Sequence, residues 1–284
     1  MAVDYTTQSR FTDPGRHADW LADTPADLAA LREIASGLVF HFWGNGDPTE
    51  HGFAPARFAE VDLRYAEAML GRLRELDPTL SGTARRPTDR ILGCCRDFSL
   101  LYVTLLRHHG IPARARVGFA DYLMPDWHMD HVVAEVWDGA RWRLIDAQPF
   151  DDPAVDLLDV PRTRFLVGGD AWLALRAGSL EPDRVVVSPD LPEPFLHGLP
   201  YARHNLALDL AARNKHEMLL WDVWGGMNLD ATVSPADAAR ADELAALADP
   251  AAAQAFAAPD LAVPPVIRSR NPLTGAVAEV HLPA

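Results

Sequence analysis

The sequence predicts an α+β fold in which a cysteine-bearing helix packs on an antiparallel sheet. After Cys95, apolar residues recur at three- and four-residue steps, which is typical of an amphipathic helix. The pattern then changes to an alternation of apolar and polar residues, which is typical of strands, and Asp138-Gly139 is a strong hairpin signal between two of them. A helix followed by strands that a tight turn joins favours an α+β fold.

Residues 1–89 are predicted to form a helical N-terminal part. The stretch "TPADLAALREIASGLVFHFWG" begins with Thr24-Pro25, a typical helix start, and continues with apolar residues at helical spacing. A second helix is predicted in "FAEVDLRYAEAMLGRLREL" by the same criterion. Between them, "HFWGNGDPTEHGFAP" is expected to be a loop rich in aromatic residues, glycine and histidine. Within this loop Trp43 is a candidate for the wall of a substrate pocket, with core packing as an equal alternative.

Residues 90–150 are predicted to contain the central helix and three strands. The helix starts at Cys95 and ends before Gly110-Ile111-Pro112. Its predicted buried stripe consists of Phe98, Leu101 and Leu105. The strands are expected in "ARARVGFA", "HVVAEVW" and "RWRLIDA".

Residues 151–284 are predicted to be a mostly helical extension that completes a cleft with the central part. One long helix is expected in "GLPYARHNLALDLAARNKHEMLLWD", and Ser234-Pro235 begins another with a capping serine. The stretch "RSRNPLTGAVAEVHL" predicts a small hairpin. Asp209, Arg213 and Glu217 follow one another at four-residue steps, which predicts a solvent-exposed row of ion pairs with no function.

The composition argues against several classes of function. A formal net charge of −14 over 284 residues disfavours sequence-independent nucleic-acid binding, which needs clustered Lys and Arg. No apolar run reaches the length of a membrane helix, and the first residues lack the basic and apolar blocks of a signal peptide, so we expect a cytoplasmic protein without a membrane partner. The two cysteines are adjacent, and ligand pairs at wider spacing are missing. We therefore expect a free thiol and neither a metal nor a cofactor.

The predicted hairpin relates His131 to Asp146. A two-residue Asp138-Gly139 turn pairs Trp137 with Ala140, and in that register His131 faces Asp146 directly. A four-residue loop is expected to keep the same register. Only a loop with an odd number of residues would send them to opposite faces. The carboxylate is thus expected to hold the imidazole.

Cys95 has the features of a nucleophile. At the head of a helix it meets the positive end of the helix dipole, which favours the thiolate over an ordinary thiol pKa of about 8.5. His131 would serve as its base, oriented by Asp146, and the backbone N–H of Cys95 is a natural oxyanion donor. The residues therefore predict a catalytic trio of Cys95, His131 and Asp146.

Two stretches, "GCCRDFSLLYVTLLRHHGIPAR" and "DHVVAEVWDGARWRLIDA", together resemble the core of the transglutaminase-like superfamily. The likeness runs from Arg90 to Gln148. It consists of a Cys that opens a helix, a Gly-Ile-Pro-Ala-Arg exit, a His that begins a strand and an Asp that ends the next strand. This resemblance implies a papain-like Cys-His-Asp fold, a catalytic core over residues 90–150, and acyl transfer through a thioester. It suggests a small bacterial-type member, with no cofactor.

The functional positions that the resemblance implies fall on Cys95, His131 and Asp146. The family's nucleophile stands two residues before the aspartate of the motif, which is Asp97 here, so the resemblance selects Cys95 over Cys94.

The remaining histidines of this region have simpler interpretations. His128, in "PDWHMDH", is expected to be a surface or loop residue that could line the cleft. His108 and His109 stand in the last helical turn, where histidine suits the helix dipole, so a structural role is expected for both.

These inferences lead to the expectation of a thiol acyl-transfer enzyme. Cys95 would form a thioester from an amide, ester or thioester donor, which is a peptide, a protein or a small metabolite, and an amine or water would resolve it. The alternatives are a cysteine peptidase or amidase that acts only as a hydrolase, an arylamine N-acetyltransferase-like enzyme, and a non-catalytic binding module on the same fold. The Arg-Gly-Gly-x-Cys approach of arylamine N-acetyltransferases is absent, and "ILGCC" stands in its place.

Overall fold

The computed structural model describes residues 3–80, 85–150, 154–225, 227 and 231–283. The helices of this part of the chain are α1 (Ala18–Leu21), α2 (Leu28–Ser36), α3 (Ala66–Leu76), α4 (Cys95–His108), α5 (Gly168–Arg176), α6 (Gly198–Arg213), α7 (Pro235–Ala245) and α8 (Asp249–Phe256). The strands are β1 (Val39–His41), β2 (Ile91–Gly93), β3 (Ala113–Ala120), β4 (His128–Trp137), β5 (Trp142–Ile145), β6 (Phe165–Val167), β7 (Val185–Val186), β8 (Asp222–Val223), β9 (Val266–Arg270) and β10 (Val277–His281).

The central sheet confirms the α+β prediction. Its strands follow the order β5-β4-β3-β6 with antiparallel pairing, and β7 pairs with β4 in parallel. Strand β3 coincides with the predicted segment Ala113–Ala120, and all its residues are buried. Helix α4 packs on β3 and β4, and α6 packs on β3. The helix that begins at Cys95 therefore lies on an antiparallel sheet.

The turn between β4 and β5 differs from the predicted one. Trp137 pairs with Trp142 and not with Ala140, so four residues form the connection instead of two. Asp138 explains the wider turn, because its Oδ1 accepts the backbone N–H groups of Ala140 and Arg141, both at 2.9 Å. Such side-chain bonds to the backbone stabilise turns that start at aspartate.

This turn changes the position opposite His131. The predicted register placed Asp146 there, whereas continuing the observed register places Gln148 there and Asp146 two positions away. The predicted direct facing is therefore wrong. Because side chains alternate between the two faces of a sheet, a shift by two positions still leaves His131 and Asp146 on the same face.

Helix α4 is buried around its whole circumference, and not only along the predicted stripe. Phe98, Leu101 and Leu105 are buried, but so are polar residues on the other sides of the helix. Arg107, for example, donates to Glu217 Oε1 at 3.0 Å. Helices α1, α2 and α3 and strands β1 and β2 pack against α4 in addition to the sheet. Paired charges allow polar residues inside such a core, because each partner satisfies the other.

Helix α2, the first of the predicted helices, is shorter than predicted. It begins at Leu28, where the Asp27 side chain accepts the N–H of Ala30, and not at Thr24-Pro25. The predicted stretch also ends early, because Val39–His41 forms strand β1, which pairs in parallel with β2. This pair brings the end of β1 next to the start of α4.

The C-terminal part contains helices and strands. Helix α7 begins as predicted, with Ser234 Oγ accepting the N–H of Asp237 at 3.1 Å. The predicted terminal hairpin is present as the antiparallel pair β9 and β10, which β8 extends. Strands β6 and β7 from this part also join the central sheet. No helix among the described residues combines the length and the apolarity that crossing a membrane requires.

The predicted exposed row of ion pairs is wrong. Asp209 is only 2% exposed and pairs with Arg116 of β3 at 2.9 Å. Helix α6 ends at Arg213, so Glu217 lies beyond it, and Glu217 is a buried partner of Arg107. These acids hold α6 and its following segment against the central sheet and α4.

Candidate active site

Cys95 is the first residue of α4, and Asp97 fixes the turn that precedes it. Asp97 Oδ2 accepts the backbone N–H of Cys94 at 2.9 Å, and its Oδ1 accepts from Arg96 Nη1 at 3.0 Å. A Cβ at position 93 would lie 2.5 Å from Asp97 Oδ2, so Gly93 leaves the room that this carboxylate needs. The closed turn presents Cys95 at the positive end of the helix.

His131 and Asp146 are hydrogen-bonded to each other. Their Nε2 and Oδ2 atoms are 2.7 Å apart, and because a carboxylate only accepts, Nε2–H is the donor. Asp146 Oδ2 also accepts the hydroxyl of Tyr122 at 2.8 Å, and Oδ1 accepts the N–H of Gln148 at 2.9 Å. With Nε2 committed to Asp146, the Nδ1 atom is the ring nitrogen of His131 that remains for Cys95.

Helix α2 holds the segment that follows strand β5 and carries Asp146. Arg32 Nε donates to the carbonyl of Asp146 at 2.5 Å, and Arg32 Nη2 donates to that of Gln148 at 3.2 Å. Ser36 Oγ donates to the carbonyl of Ala147 at 2.6 Å. Three successive carbonyls are thus tied to one helix, which fixes the backbone beneath the carboxylate.

Cys95 is surrounded by hydrogen-bond donors that favour its thiolate. The Cys94 thiol and the rings of His131 and His41 lie near enough to act as donors to its sulfur. Together they lower the pKa of Cys95 well below that of an ordinary thiol, although burial opposes them. The pKa of Cys94 moves in the opposite direction, raised by its bond to Cys95, by burial and by the charge of Asp97. Cys94 is therefore the protonated member of the pair and Cys95 the ionised one.

The imidazole of His131 is held in its charged form. Burial by itself lowers its pKa, but the Asp146 carboxylate and the Cys95 sulfur outweigh burial and raise the pKa of His131 to about 10. The two opposite shifts favour a thiolate on Cys95 paired with an imidazolium on His131 over the neutral pair. This is the charge state that an acyl-transfer cysteine needs before attack.

These three groups are removed from bulk water. Cys95 is 4% exposed, His131 1% and Asp146 0%. The rings of Phe150 and Phe165 lie with their centroids 6.3 and 6.4 Å from that of His131. A water-poor setting of this kind strengthens each electrostatic contact.

Two residues of the site, Tyr122 and His41, are not predicted from the sequence. Tyr122 follows β3 and donates to Asp146, but no spacing relates it to the carboxylate. His41 ends β1 beside Gly93, and the sequence places it only in an aromatic loop. The run of aromatic residues and histidine in that loop is the only signal that pointed toward His41.

Helix α6 contacts the residue that precedes His131. Asp130 accepts from the Tyr201 hydroxyl at 2.8 Å and from Asn205 Nδ2 at 2.9 Å. Burial, together with the negative charge of Cys95, raises the pKa of Asp130 to about 7. The C-terminal part of the chain therefore reaches the immediate surroundings of the site.

The other singled-out residues lie outside this group. His128 begins β4 and is half-buried, with a pKa lowered by burial. His108 is half-buried, and His109 Nε2 shares a hydrogen bond with Thr24 Oγ1 at 2.9 Å, in line with structural roles. Trp43 is 45% exposed beside Phe42. Among the residues that the structure describes, no group of three or more His, Cys, Asp or Glu is arranged to hold a metal ion.

Comparison with known proteins agrees with the motif. The model of the transglutaminase-like superfamily matches residues 59–147, which include Cys95, His131 and Asp146. This confirms the resemblance seen in the sequence and supports, at the level of the family, a cysteine-dependent enzyme. No curated protein matches the sequence.

Among solved structures, the chain is similar to a protein from Cytophaga hutchinsonii that is provisionally assigned as a cysteine protease. The TM-score is 0.33 and the identity 18%, over 57% of this chain and 44% of that one. The chain thus spans less than half of that protein. A similarity at this level carries no argument about function.

Proposed function

We propose that the protein is a thiol acyl-transfer enzyme with Cys95 as nucleophile, His131 as acid and base, and Asp146 as the residue that orients His131. The observation that supports it most is the 2.7 Å hydrogen bond of His131 to Asp146 beside Cys95, the first residue of a buried helix, whose pKa His131 lowers. The donor is an amide, an ester or a thioester of a peptide, a protein or a small metabolite.

The first half-reaction forms the acyl-enzyme. The Cys95 sulfur attacks the carbonyl carbon, a C–S bond forms, and the electron pair of the C=O bond moves to oxygen. When the pair returns, the bond to the leaving group breaks, and the leaving group takes the proton from His131 Nδ1. The product is a thioester on Cys95 and a neutral imidazole still bonded to Asp146.

The second half-reaction uses the same groups in reverse. The neutral His131 removes a proton from water or from an amine, and that nucleophile attacks the thioester. The C–S bond breaks, and its electron pair returns to sulfur as the thiolate. This cycle consumes no cofactor. Water as acceptor gives a hydrolase, such as a peptidase or amidase, and an amine gives a transferase.

Formation of the acyl-enzyme tests the proposal. The protein is mixed with p-nitrophenyl acetate, and the Cys95 peptide is analysed by mass spectrometry. We expect one acetyl group on Cys95, released by hydroxylamine as a thioester is, and none in Cys95→Ala at that peptide. Faster release with added primary amines indicates a transferase, and release that amines do not change indicates a hydrolase. Acetylation that spares Cys95 in the folded wild-type protein contradicts the proposal.

A further inference from the structure

A second imidazole, that of His41, lies near the Cys95 sulfur, although His41 is far from Cys95 in the sequence. His41 is the last residue of β1 and pairs with Gly93 of β2, while the N–H of Phe42 donates to the Gly93 carbonyl at 3.0 Å. Gly93 stands two residues before Cys95. The parallel strand pair therefore fixes the backbone of His41 beside the start of α4, close enough for its ring to act as a donor that lowers the pKa of Cys95.

The backbone of the following loop fixes which nitrogen of His41 carries the proton. His41 Nδ1 accepts the N–H of Trp43 at 3.2 Å and the N–H of Gly44 at 2.9 Å. A backbone N–H can only donate, so Nδ1 is an acceptor, and in the neutral ring the proton lies on Nε2. Asn45 Oδ1 accepts the backbone N–H of His41 at 2.8 Å, which also holds this loop in place.

The two imidazoles at Cys95 therefore differ in what they can do. His131 is bonded to a carboxylate, which stabilises its charged form and lets it give and take a proton. His41 is bonded to two backbone N–H groups, so its Nδ1 is occupied and its Nε2 already bears a proton. His41 can donate a hydrogen bond, but it is not arranged to act as the base.

We infer that His41 Nε2–H is the side-chain donor of the oxyanion hole, acting together with the backbone N–H of Cys95. The inference rests on the proposed function of Cys95. As the C–S bond forms, negative charge moves from the sulfur to the carbonyl oxygen, two atoms bonded to the same carbon. A donor that meets the sulfur before attack is therefore close to the oxygen that receives the charge.

The backbone partner follows from the helix. Cys95 is the first residue of α4, and the N–H groups of the first helical turn have no acceptor within the helix. Two donors on one oxyanion, one from the backbone and one from a side chain, make an arrangement that acts on the transition state. Removal of a single such donor typically costs about 10²–10³ in rate.

The alternative is that His41 only stabilises the thiolate. Two reactions of the same sulfur separate these roles. Alkylation by iodoacetamide displaces iodide and forms no oxyanion, whereas acylation by p-nitrophenyl acetate passes through a tetrahedral oxyanion. Both rates are measured on the Cys95 peptide at a pH where the thiolate is fully formed, so that a change in the pKa of Cys95 does not enter.

The variants are His41→Phe and His41→Ala, which remove the donor in two ways, and His41→Gln, which returns an N–H donor. His51→Phe is the matched control, because His51 is an exposed histidine that contacts Phe40 on the same segment. We expect acylation to fall about a hundredfold in His41→Phe and His41→Ala, while alkylation changes less than about threefold. His41→Gln should recover at least tenfold of the lost acylation, and His51→Phe should leave both rates unchanged.

Equal changes in both reactions, or acylation that is unaffected, overturn the inference about His41. The alkylation rate also shows whether each variant keeps a folded site. His41→Phe and His41→Ala should agree, because both remove the same donor. The proposed function is contradicted by different results, which concern the wild-type protein alone. If Cys95 is alkylated rapidly but is never acylated, or if it reacts no faster than a simple thiol, Cys95 is not the acyl-accepting nucleophile, whatever His41 does.

Discussion

His131 Nε2 donates to Asp146 Oδ2 across 2.7 Å, although the register of β4 and β5, continued beyond Ile145, would place Gln148 and not Asp146 opposite His131. Diagonal neighbours on one face of a sheet are within reach of longer side chains. Tyr122 donates to the same carboxylate oxygen, and α2 holds the backbone behind it. This bond fixes the orientation of His131 and leaves Nδ1 as the ring nitrogen available to Cys95.

Asp146→Asn should lower acylation by about a hundredfold or more. The amide is nearly isosteric with the carboxylate, so the fold should persist, but it cannot stabilise the imidazolium of His131. The rate of Cys95 acetylation is the measurement. Tyr122→Phe, which removes one hydrogen bond to the same oxygen, is the control and should cost much less. An Asn variant as active as wild type would remove Asp146 from the mechanism.

Cys95→Ala and Cys94→Ala should behave differently. Loss of a nucleophile that works together with its base can cost about a millionfold, so Cys95→Ala should abolish turnover of an acyl substrate with its circular dichroism unchanged. Cys94→Ala should retain activity, but it removes a hydrogen bond to the Cys95 thiolate. The pKa of Cys95 should then rise, and the acid side of the activity profile should move to higher pH. Activity lost in Cys94→Ala and kept in Cys95→Ala would reverse the assignment.

Turnover should fall at alkaline pH as His131 loses its proton. The raised pKa of His131, about 10, keeps the imidazolium available to protonate the leaving group up to that region. On the acid side, turnover should fall only when Cys95 is protonated, well below an ordinary thiol pKa. The profile of kcat/KM against pH is the measurement. A descending side near pH 6.5, where an isolated histidine titrates, would contradict the described interactions.

Glu135 should stabilise the fold at neutral pH and lose that effect in acid. Burial opposes its ionisation, but Arg116, Arg114 and Arg162 outweigh burial and lower the pKa of Glu135 from 4.5 to about 2. A lowered pKa contributes stability that is complete above the unfolded value and disappears as the pH falls through the folded value. That difference corresponds to about 3 kcal/mol.

Urea unfolding of wild type and Glu135→Gln at several pH values measures this contribution. Wild type should be the more stable protein at pH 7, and its advantage should shrink steadily as the pH falls from about 4.5 toward 2. An advantage that does not depend on pH would show that the arginine cluster does not depend on the charge of Glu135.

Features that depend on local patterns were predictable. Strand β3, the start of α4 at Cys95 and the capping of α7 by Ser234 follow from alternation, helical spacing and cap chemistry, and the structure has all three. The meeting of His131 with Asp146 was predictable for a different reason. Any turn with an even number of residues keeps the two side chains on one face, and the observed shift of two positions leaves them within reach of each other.

Features that depend on distant partners were not predictable. Strand β1 is stabilised by a segment far along the chain, so His41 had no local signal of its place beside Cys95. Asp209 has the spacing of a surface ion pair, but Arg116 of β3 makes it a buried one. The chemistry of a charged side chain was readable from the sequence, and its burial was not, because burial is decided by what packs against it.

The ionisation of Cys95 in the resting protein is the most direct test of its role as the nucleophile. The rate of Cys95 alkylation by iodoacetamide is measured from pH 5 to 10 by mass spectrometry of its peptide, with Cys94 as the internal comparison. We predict a Cys95 rate at pH 7 that is close to its plateau and far above the rates of Cys94 and of a simple thiol. In Asp146→Asn this rate should fall only in part. A Cys95 rate that falls tenfold per pH unit below about 8.5, as for an unperturbed thiol, would contradict this prediction.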